Sequence, residues 1–212
     1  MIGEFPASNR RVRQLVPQPK SEDAEPQPIF SAFADQANIV LLGDPGAGKT
    51  HLFRSSAETT GGNFLRVRDF LNVPAVPAGV TLFIDALDEK RSGRGDDDAV
   101  DQIVRKLFAS SPYKVRISCR EHDWLGESDL AAFRPYFDQR GGCVVLSLQP
   151  LSTEEQAAIL RTHGILDTTN FMNEVIQRGL EEFLVNPQNL IMLAEVVRSG
   201  PETRPPAEPA RA

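Results

Sequence analysis

The sequence has few of the residues that mark membrane, secreted or metal-binding proteins. Its 212 residues include two cysteines, Cys119 and Cys143, whose spacing does not match a metal-ligand pair. No apolar run approaches the roughly 20 residues that a membrane-spanning helix needs. The first residues also lack the apolar stretch of a secretory signal. We therefore expect a cytoplasmic protein with reduced thiols and no membrane partner.

Basic charge is scarce as well. The chain has 23 lysines and arginines against 29 acidic residues, which gives a formal net charge of -6. Contact with nucleic-acid phosphates favours a basic face, so we do not expect DNA or RNA as a partner. In other respects the composition is that of an ordinary globular protein, with 41% hydrophobic and 25% charged residues. The length suffices for one large domain or two small ones.

Proline-rich ends flank a middle region that looks folded. Residues 1–28 contain five prolines and few apolar side chains, so burial cannot offset the entropy lost on ordering. We predict a disordered arm there and, for the same reason, a disordered tail over 200–212. The region between them divides into 29–149 and 150–199 by its hydrophobic pattern.

Short apolar runs alternate with helical patterns over 29–149. This alternation is typical of an α/β domain in which helices cover a parallel sheet on both faces. The predicted strands are 38–42, 63–67, 80–84, 113–119 and 143–148, and the clearest helical patterns are about 49–58 and 100–108.

The pattern changes after Pro150. Ser152 and Glu155 have the spacing of a capping box, in which each residue satisfies the backbone N–H of the other at a helix start. Apolar residues then recur at helical spacing as far as Val197, with no strand pattern among them. We predict a small all-helical subdomain over 150–199.

A glycine-rich loop follows the first predicted strand. Its letters, GDPGAGKT, match G-x-x-x-x-G-K-[ST] at every fixed position. Glycines let the backbone curl around phosphate oxygens without a Cβ clash, and the following helix start directs N–H groups at the anion. The predicted nucleotide contacts are Gly43, Asp44, Pro45, Gly46, Ala47, Gly48, Lys49 and Thr50.

Three side chains of this segment receive specific roles. Lys49 would reach the β- and γ-phosphates as a point charge, and the Thr50 hydroxyl would bind Mg²⁺. His51, in the first turn of the helix, is a further candidate for nucleotide contact. The alternative for His51 is a surface or packing residue.

An acidic cluster follows the third predicted strand, in the letters TLFIDALDE. Ligands of open α/β sheets lie beyond the carboxyl ends of the strands, so Asp85 is placed to hold Mg²⁺. Asp88 or Glu89 would orient or deprotonate an attacking water. The alternative is a solvated acidic turn. The later acidic run, 96–98, reads as a loop and helix start.

Together the two motifs resemble the NACHT clade of STAND-type P-loop NTPases, which are relatives of the AAA+ ATPases. The distinguishing feature is a small residue, Ala86, directly after Asp85, with the acidic pair Asp88 and Glu89 two positions later. Most AAA+ proteins instead carry glutamate directly after the first aspartate. The resemblance covers about 38–198. It implies a P-loop NTPase three-layer sandwich with a parallel sheet, followed by a small helical lid.

The resemblance implies roles for two more residues. Arg120, at the end of the fourth predicted strand, is similar in position to the sensor-1 element and would approach the γ-phosphate. Its alternative is a surface arginine paired with Glu121 or Asp123. Pro187 lies in a segment similar to the proline-containing motif of the lid that packs on adenine. It also suits the first position of a helix, and both readings can hold.

The implied function is an ATP-binding, Mg²⁺-dependent NTPase that hydrolyses ATP to ADP slowly and acts as a conformational switch. Such proteins serve in signalling or defence, through self-association or a protein partner. Two alternatives stay open. One is an AAA+-type motor or loader with fast, polymer-stimulated hydrolysis. The other is an interaction scaffold that holds nucleotide without turnover.

Overall fold

The structure, a computed structural model, describes residues 10–18, 27–91 and 99–199. These ranges contain six strands and eight α-helices, joined by loops and short 3₁₀ turns. The strands are β1 Val12–Val16, β2 Asn38–Leu42, β3 Asn63–Arg66, β4 Thr81–Asp85, β5 Lys114–Cys119 and β6 Val144–Leu148. The helices are α1 Lys49–Thr60, α2 Val67–Asn72, α3 Leu87–Arg91, α4 Ala99–Ser110, α5 Glu127–Phe137, α6 Thr153–Thr162, α7 Thr168–Gln177 and α8 Pro187–Ser199.

All six strands belong to one sheet, in the order β1-β6-β2-β5-β4-β3. The neighbours from β6 to β3 pair in parallel, whereas β1 pairs with β6 antiparallel, with Val12 opposite Leu148. The five predicted strands are confirmed, each end falling within one residue of its prediction. The class is therefore α/β with a mostly parallel sheet.

β1 corrects the sequence-based prediction. The prediction of a disordered arm over 1–28 was wrong for the residues of β1, which form the edge strand of the sheet. The prediction used the proline content of all 28 residues and overlooked a proline-free stretch, 10–16, in which Val12 is fully buried. β1 also satisfies backbone groups of β6 that an open edge would leave unpaired. Residues 1–9 and 19–26, the predicted tail and the acidic run 96–98 lie outside the described residues.

Helices cover both faces of the sheet, which is compatible with a three-layer arrangement. Successive residues of a strand point to opposite faces, and β2 shows the division. Val40 and Leu42 pack in a cluster with side chains of α2, α4 and α5, whereas Ile39 and Leu41 pack in a second cluster with side chains of α1. β2 is buried along its whole length, as its continuous apolar run predicted.

The α/β unit ends at Pro150, and a separate helical unit begins at Leu151. Within the helical unit, Ser152 Oγ accepts a hydrogen bond from the Glu155 N–H at 3.2 Å, and the Glu155 carboxylate accepts one from the Ser152 N–H at 2.7 Å. The predicted capping box is confirmed. The core of this unit consists of Leu151, Leu160, Phe171, Met172, Val175, Leu184, Leu190 and Ala194.

None of the helices in the described ranges combines the length and the apolar character that a membrane crossing requires. The longest of them, α8, has 13 residues. A helix rises about 1.5 Å per residue, so α8 is too short to span a hydrocarbon core of about 30 Å.

The capping box makes a stability prediction for the helical unit. Ser152→Ala removes the side chain that accepts the Glu155 N–H, so we expect it to lower the free energy of unfolding by about 1 kcal/mol. Urea unfolding followed by far-ultraviolet circular dichroism measures the change. Thr153→Ala, at the exposed neighbouring position, is the matched control and should leave stability unchanged. Equal effects of the two substitutions would contradict the prediction.

Candidate functional site

The glycine loop connects β2 to α1 at the carboxyl edge of the sheet. Gly46 and Gly48 have left-handed backbone angles, with φ of 75° and 96°, a region that side chains with a Cβ rarely adopt. Gly48 is also the N-cap of α1 and supplies no side-chain cap. The first N–H groups of a helix need acceptors, so the start of α1 presents donors of the kind that bind anions.

The Lys49 side chain folds back across this loop. Its ammonium donates hydrogen bonds to the Gly43 carbonyl at 2.6 Å and the Asp44 carbonyl at 3.0 Å. Burial lowers the pKa of Lys49 below its usual value, and the nearby carboxylates of Asp88 and Asp85 oppose that effect. The structure thus places a cation over the loop that the sequence predicted to bind phosphate.

Asp85 ends β4 and is only 2% exposed. Two hydroxyl groups hold its carboxylate. Thr50 Oγ1, in the first turn of α1, donates to Oδ2 at 2.7 Å, and Ser118 Oγ, on β5, donates to Oδ1 at 2.5 Å. A carboxylate removed from water needs such partners. The structure therefore brings together Thr50 and Asp85, the two residues that the sequence assigned to one metal ion.

Sequence reasoning did not identify Ser118 as a site residue. Ser118 is fully buried, and besides donating to Asp85 its hydroxyl oxygen accepts the Ala86 N–H at 3.0 Å. The available signal was a hydroxyl near the carboxyl end of a predicted strand, β5, because a buried hydroxyl there needs a hydrogen-bonding partner.

Ala86 has a left-handed backbone conformation, with φ of 64°. This turn separates β4 from α3, so that Asp85 belongs to the strand while Asp88 belongs to the first turn of the helix. Residues with a Cβ rarely adopt this conformation, and the strain is greatest for bulky or branched side chains. The Ala86 backbone is therefore a strained position between the two carboxylates.

Asp88 and Arg120 form an ion pair. Arg120 Nε lies 2.8 Å from Asp88 Oδ2, and the backbone N–H of Arg120 donates to Oδ1 at 3.2 Å. The Asp88 carboxylate is largely buried, whereas 43% of the Arg120 side chain is exposed. The sequence named Glu121 and Asp123 as alternative partners of Arg120, but this pair instead joins α3 to the end of β5.

The remaining predicted residues are more exposed or lie elsewhere. Glu89 is exposed on α3, and His51 is exposed on α1. Pro187 belongs to the helical unit, where it begins α8 and the Asn186 side chain accepts the Gln188 N–H at 3.0 Å. Its assignment to the first position of a helix is confirmed, and its contact with adenine stays a prediction.

Comparisons with known proteins add no assignment to this site. A scan against protein-family models matches no family, and a search of curated proteins finds no match. Within the described ranges, no three histidine, cysteine or acidic side chains lie together as a metal-binding cluster. The chemistry of the site thus follows from the loop, the two hydroxyls and the ion pair.

The left-handed turn at Ala86 makes a second stability prediction. Glycine adopts this conformation without the Cβ clash, so we expect Ala86→Gly to raise the free energy of unfolding by about 1 kcal/mol. The same chemical change at Ala131, exposed in the interior of α5, should instead lower it by about 0.5–1 kcal/mol. Denaturant unfolding of both variants measures the contrast, and a loss of stability in both would refute the argument from strain.

Proposed function

We propose that this protein is a Mg²⁺-dependent P-loop NTPase that binds ATP and hydrolyses it slowly to ADP. The observation that carries the proposal is the 2.7 Å contact between Thr50 and Asp85. It joins the end of a glycine-rich loop to a buried carboxylate on another strand. A glycine-rich turn that binds no ligand would not need a buried carboxylate beside it, whereas a site for a metal-bound phosphate chain does.

The loop supports the phosphate part of the proposal. Gly48 leaves the start of α1 without a side-chain cap, so backbone N–H groups are directed toward the ligand side of the loop. Lys49 supplies a positive charge at the same place. On binding, its ammonium would exchange the carbonyls of Gly43 and Asp44 for phosphate oxygens, which are stronger acceptors because they are charged.

The donor set fits Mg²⁺. Thr50 and Asp85 both offer oxygen atoms, which this ion prefers, and Mg²⁺ commonly takes one or two protein oxygens with the remainder from water and phosphate. When bound, the ion would neutralise charge that develops on the phosphoryl oxygens. Ser118 holds the Asp85 carboxylate in the orientation that also faces Thr50.

For hydrolysis we assign different roles to the two carboxylates of α3. Asp88 is buried, its Oδ2 contacts the Arg120 guanidinium and its Oδ1 accepts the Arg120 backbone N–H, so we assign it the role of positioning that guanidinium. Arg120 keeps an exposed portion that suits contact with a terminal phosphate. Glu89, which is exposed, is the group we propose to orient the attacking water. Slow turnover is what the resemblance to NACHT proteins implies.

On the basis of the resemblance to NACHT proteins, we extend the proposal to a biological role, that of a conformational switch. A change between ATP and ADP would alter contacts with the γ-phosphate and so shift a conformational equilibrium. In that scheme the helical unit serves as the lid, and the output is self-association or binding of a protein partner in a cytoplasmic signalling or defence process. We propose no membrane or nucleic-acid partner.

The Asp88–Arg120 pair also favours a second candidate, a scaffold that holds nucleotide without turnover. Asp88 is buried and both of its oxygens contact Arg120, one at the guanidinium and one at the backbone N–H, which leaves this carboxylate poorly placed to activate water. In the scaffold, Arg120 would contribute to binding alone. The two candidates share the nucleotide site and differ in turnover.

The nucleotide site is tested by Lys49→Ala. We expect the dissociation constant for ATP to rise about a hundredfold, the size of a lost hydrogen bond between charged groups. Isothermal titration calorimetry with the full chain measures it. Arg105→Ala, which removes an exposed cation of α4, is the matched control and should bind as the unaltered protein does. Undiminished affinity in Lys49→Ala would remove the proposal.

Turnover is tested by Asp85→Asn, which keeps the shape of the side chain but removes its charge. We expect Mg²⁺-dependent release of phosphate from ATP to fall by more than about tenfold, since even outer-shell changes have that effect on metal sites. Asp101→Asn, an exposed position on α4, should leave the rate unchanged. A measurable rate in the unaltered protein supports hydrolysis. Bound nucleotide with no phosphate release over hours would instead establish the scaffold.

A further inference from the structure

Arg10 joins the glycine loop to the end of the α/β unit. Its guanidinium is buried with the rest of the side chain, which is 6% exposed. One terminal nitrogen donates to the Ala47 carbonyl at 2.9 Å, and the other donates to the Gln149 carbonyl at 2.9 Å. One side chain from a segment predicted to be disordered thus contacts two backbone sites that are distant in sequence.

The Ala47 peptide needs an anchor because of its neighbours. Gly46 and Gly48 flank it, and both have left-handed backbone angles. Glycine adopts many conformations at similar energy, so the loop sequence by itself does not determine how this peptide is oriented. The Ala47 side chain packs in the same cluster as Val12 of β1, and Arg10 holds the carbonyl.

Holding that carbonyl also determines the direction of an N–H group. The peptide between Ala47 and Gly48 is trans, and in a planar trans peptide the C=O and the N–H point in opposite directions. When Arg10 draws the Ala47 carbonyl toward itself, the Gly48 N–H points away from Arg10. A loop that binds phosphate depends on such N–H directions.

We propose that Arg10 is a positioning residue for the phosphate loop, acting through the Ala47 peptide without contacting the nucleotide. The inference rests on the proposed function, and it extends that function to the N-terminal segment. The planar guanidinium suits the task because it donates in two fixed directions at once, which an ammonium group does not do in the same way.

The second hydrogen bond of Arg10, to Gln149, holds the arginine itself in place. Gln149 lies directly after β6, and the neighbouring Arg11 donates to the Pro150 carbonyl at 2.7 Å. The Gln149 N–H in turn donates to the Arg11 carbonyl at 3.1 Å. The loop is therefore tied through Arg10, two residues before β1, to Gln149 directly after β6.

The experiment compares Arg10→Met with Arg11→Met in the full chain. Each variant removes one buried or partly buried guanidinium from the two residues that precede β1 and keeps an unbranched side chain. Both side chains donate to the backbone just after β6, Arg10 to Gln149 and Arg11 to Pro150, and Arg10 in addition donates to Ala47 in the glycine loop. Arg10→Lys serves as the conservative variant, which keeps the positive charge but not the planar guanidinium that donates in two fixed directions.

Two quantities are measured on each variant. Urea unfolding gives the global free energy of unfolding of each variant, so that effects on the loop are separated from changes in overall stability. Hydrogen exchange over 43–50 in nucleotide-free protein should accelerate at least about tenfold in Arg10→Met, and the dissociation constant for ATP should rise about tenfold. Arg11→Met should change neither quantity, and Arg10→Lys should give intermediate values. If Arg10 only stabilised the fold, Arg10→Met and Arg11→Met would lower stability to a similar extent. Hydrogen exchange over 43–50 would then accelerate no more than in other segments.

The outcomes separate this inference from the proposed function. Loop exchange in Arg10→Met equal to that of the unaltered protein, or equal to that of Arg11→Met, overturns the inference even if ATP binds. Failure of the unaltered protein to bind ATP overturns the proposed function, and hydrogen exchange then still decides whether Arg10 positions the loop. If Arg10→Met does not fold, the same comparison between Arg10→Lys and the unaltered protein decides the question.

Discussion

The buried carboxylate of Asp85 is the constraint on which the rest of the site depends. A charge that is removed from water is costly unless polar partners replace the water. Here two hydroxyls do so, Thr50 from α1 and Ser118 from β5. The need to satisfy one side chain thus brings a helix start and the ends of two neighbouring strands to one point. The glycine loop that precedes α1 is held at the same place.

Around this carboxylate the charges form a balanced set. Lys49 and Arg120 supply two cations, and Asp85 and Asp88 supply two carboxylates, of which both are buried. Lys49 donates to backbone carbonyls, and Arg120 pairs with Asp88. Binding of a phosphate chain, as proposed, would compete for these cations. The polyanion would take the place of those acceptors at the carboxyl edge of the sheet.

The sequence predicted the strands of the parallel sheet well because short runs rich in apolar residues alternate with helical patterns, and the clearest of these runs, β2, is buried along its whole length. It also placed Thr50 and Asp85 at one edge, since strands and loops of this class end there. It failed for β1, where one buried valine within a proline-rich region carried too little signal. It also missed Ser118 and Arg10, because a serine in a strand and an arginine near the chain start have no periodicity that distinguishes them from neutral positions.

The sequence by itself determined the elements and the chemical types at their ends: a glycine loop before a helix, carboxylates after a strand, and a capping box after Pro150. These are local properties, set by backbone preferences and by hydrophobic period. Only the tertiary structure decided the partners, namely Ser118 for Asp85, Arg120 for Asp88 and Arg10 for Ala47. The reason is physical. A buried polar group is satisfied by whichever donor the packed sheet brings within about 3 Å, and those donors lie more than 30 residues away along the chain.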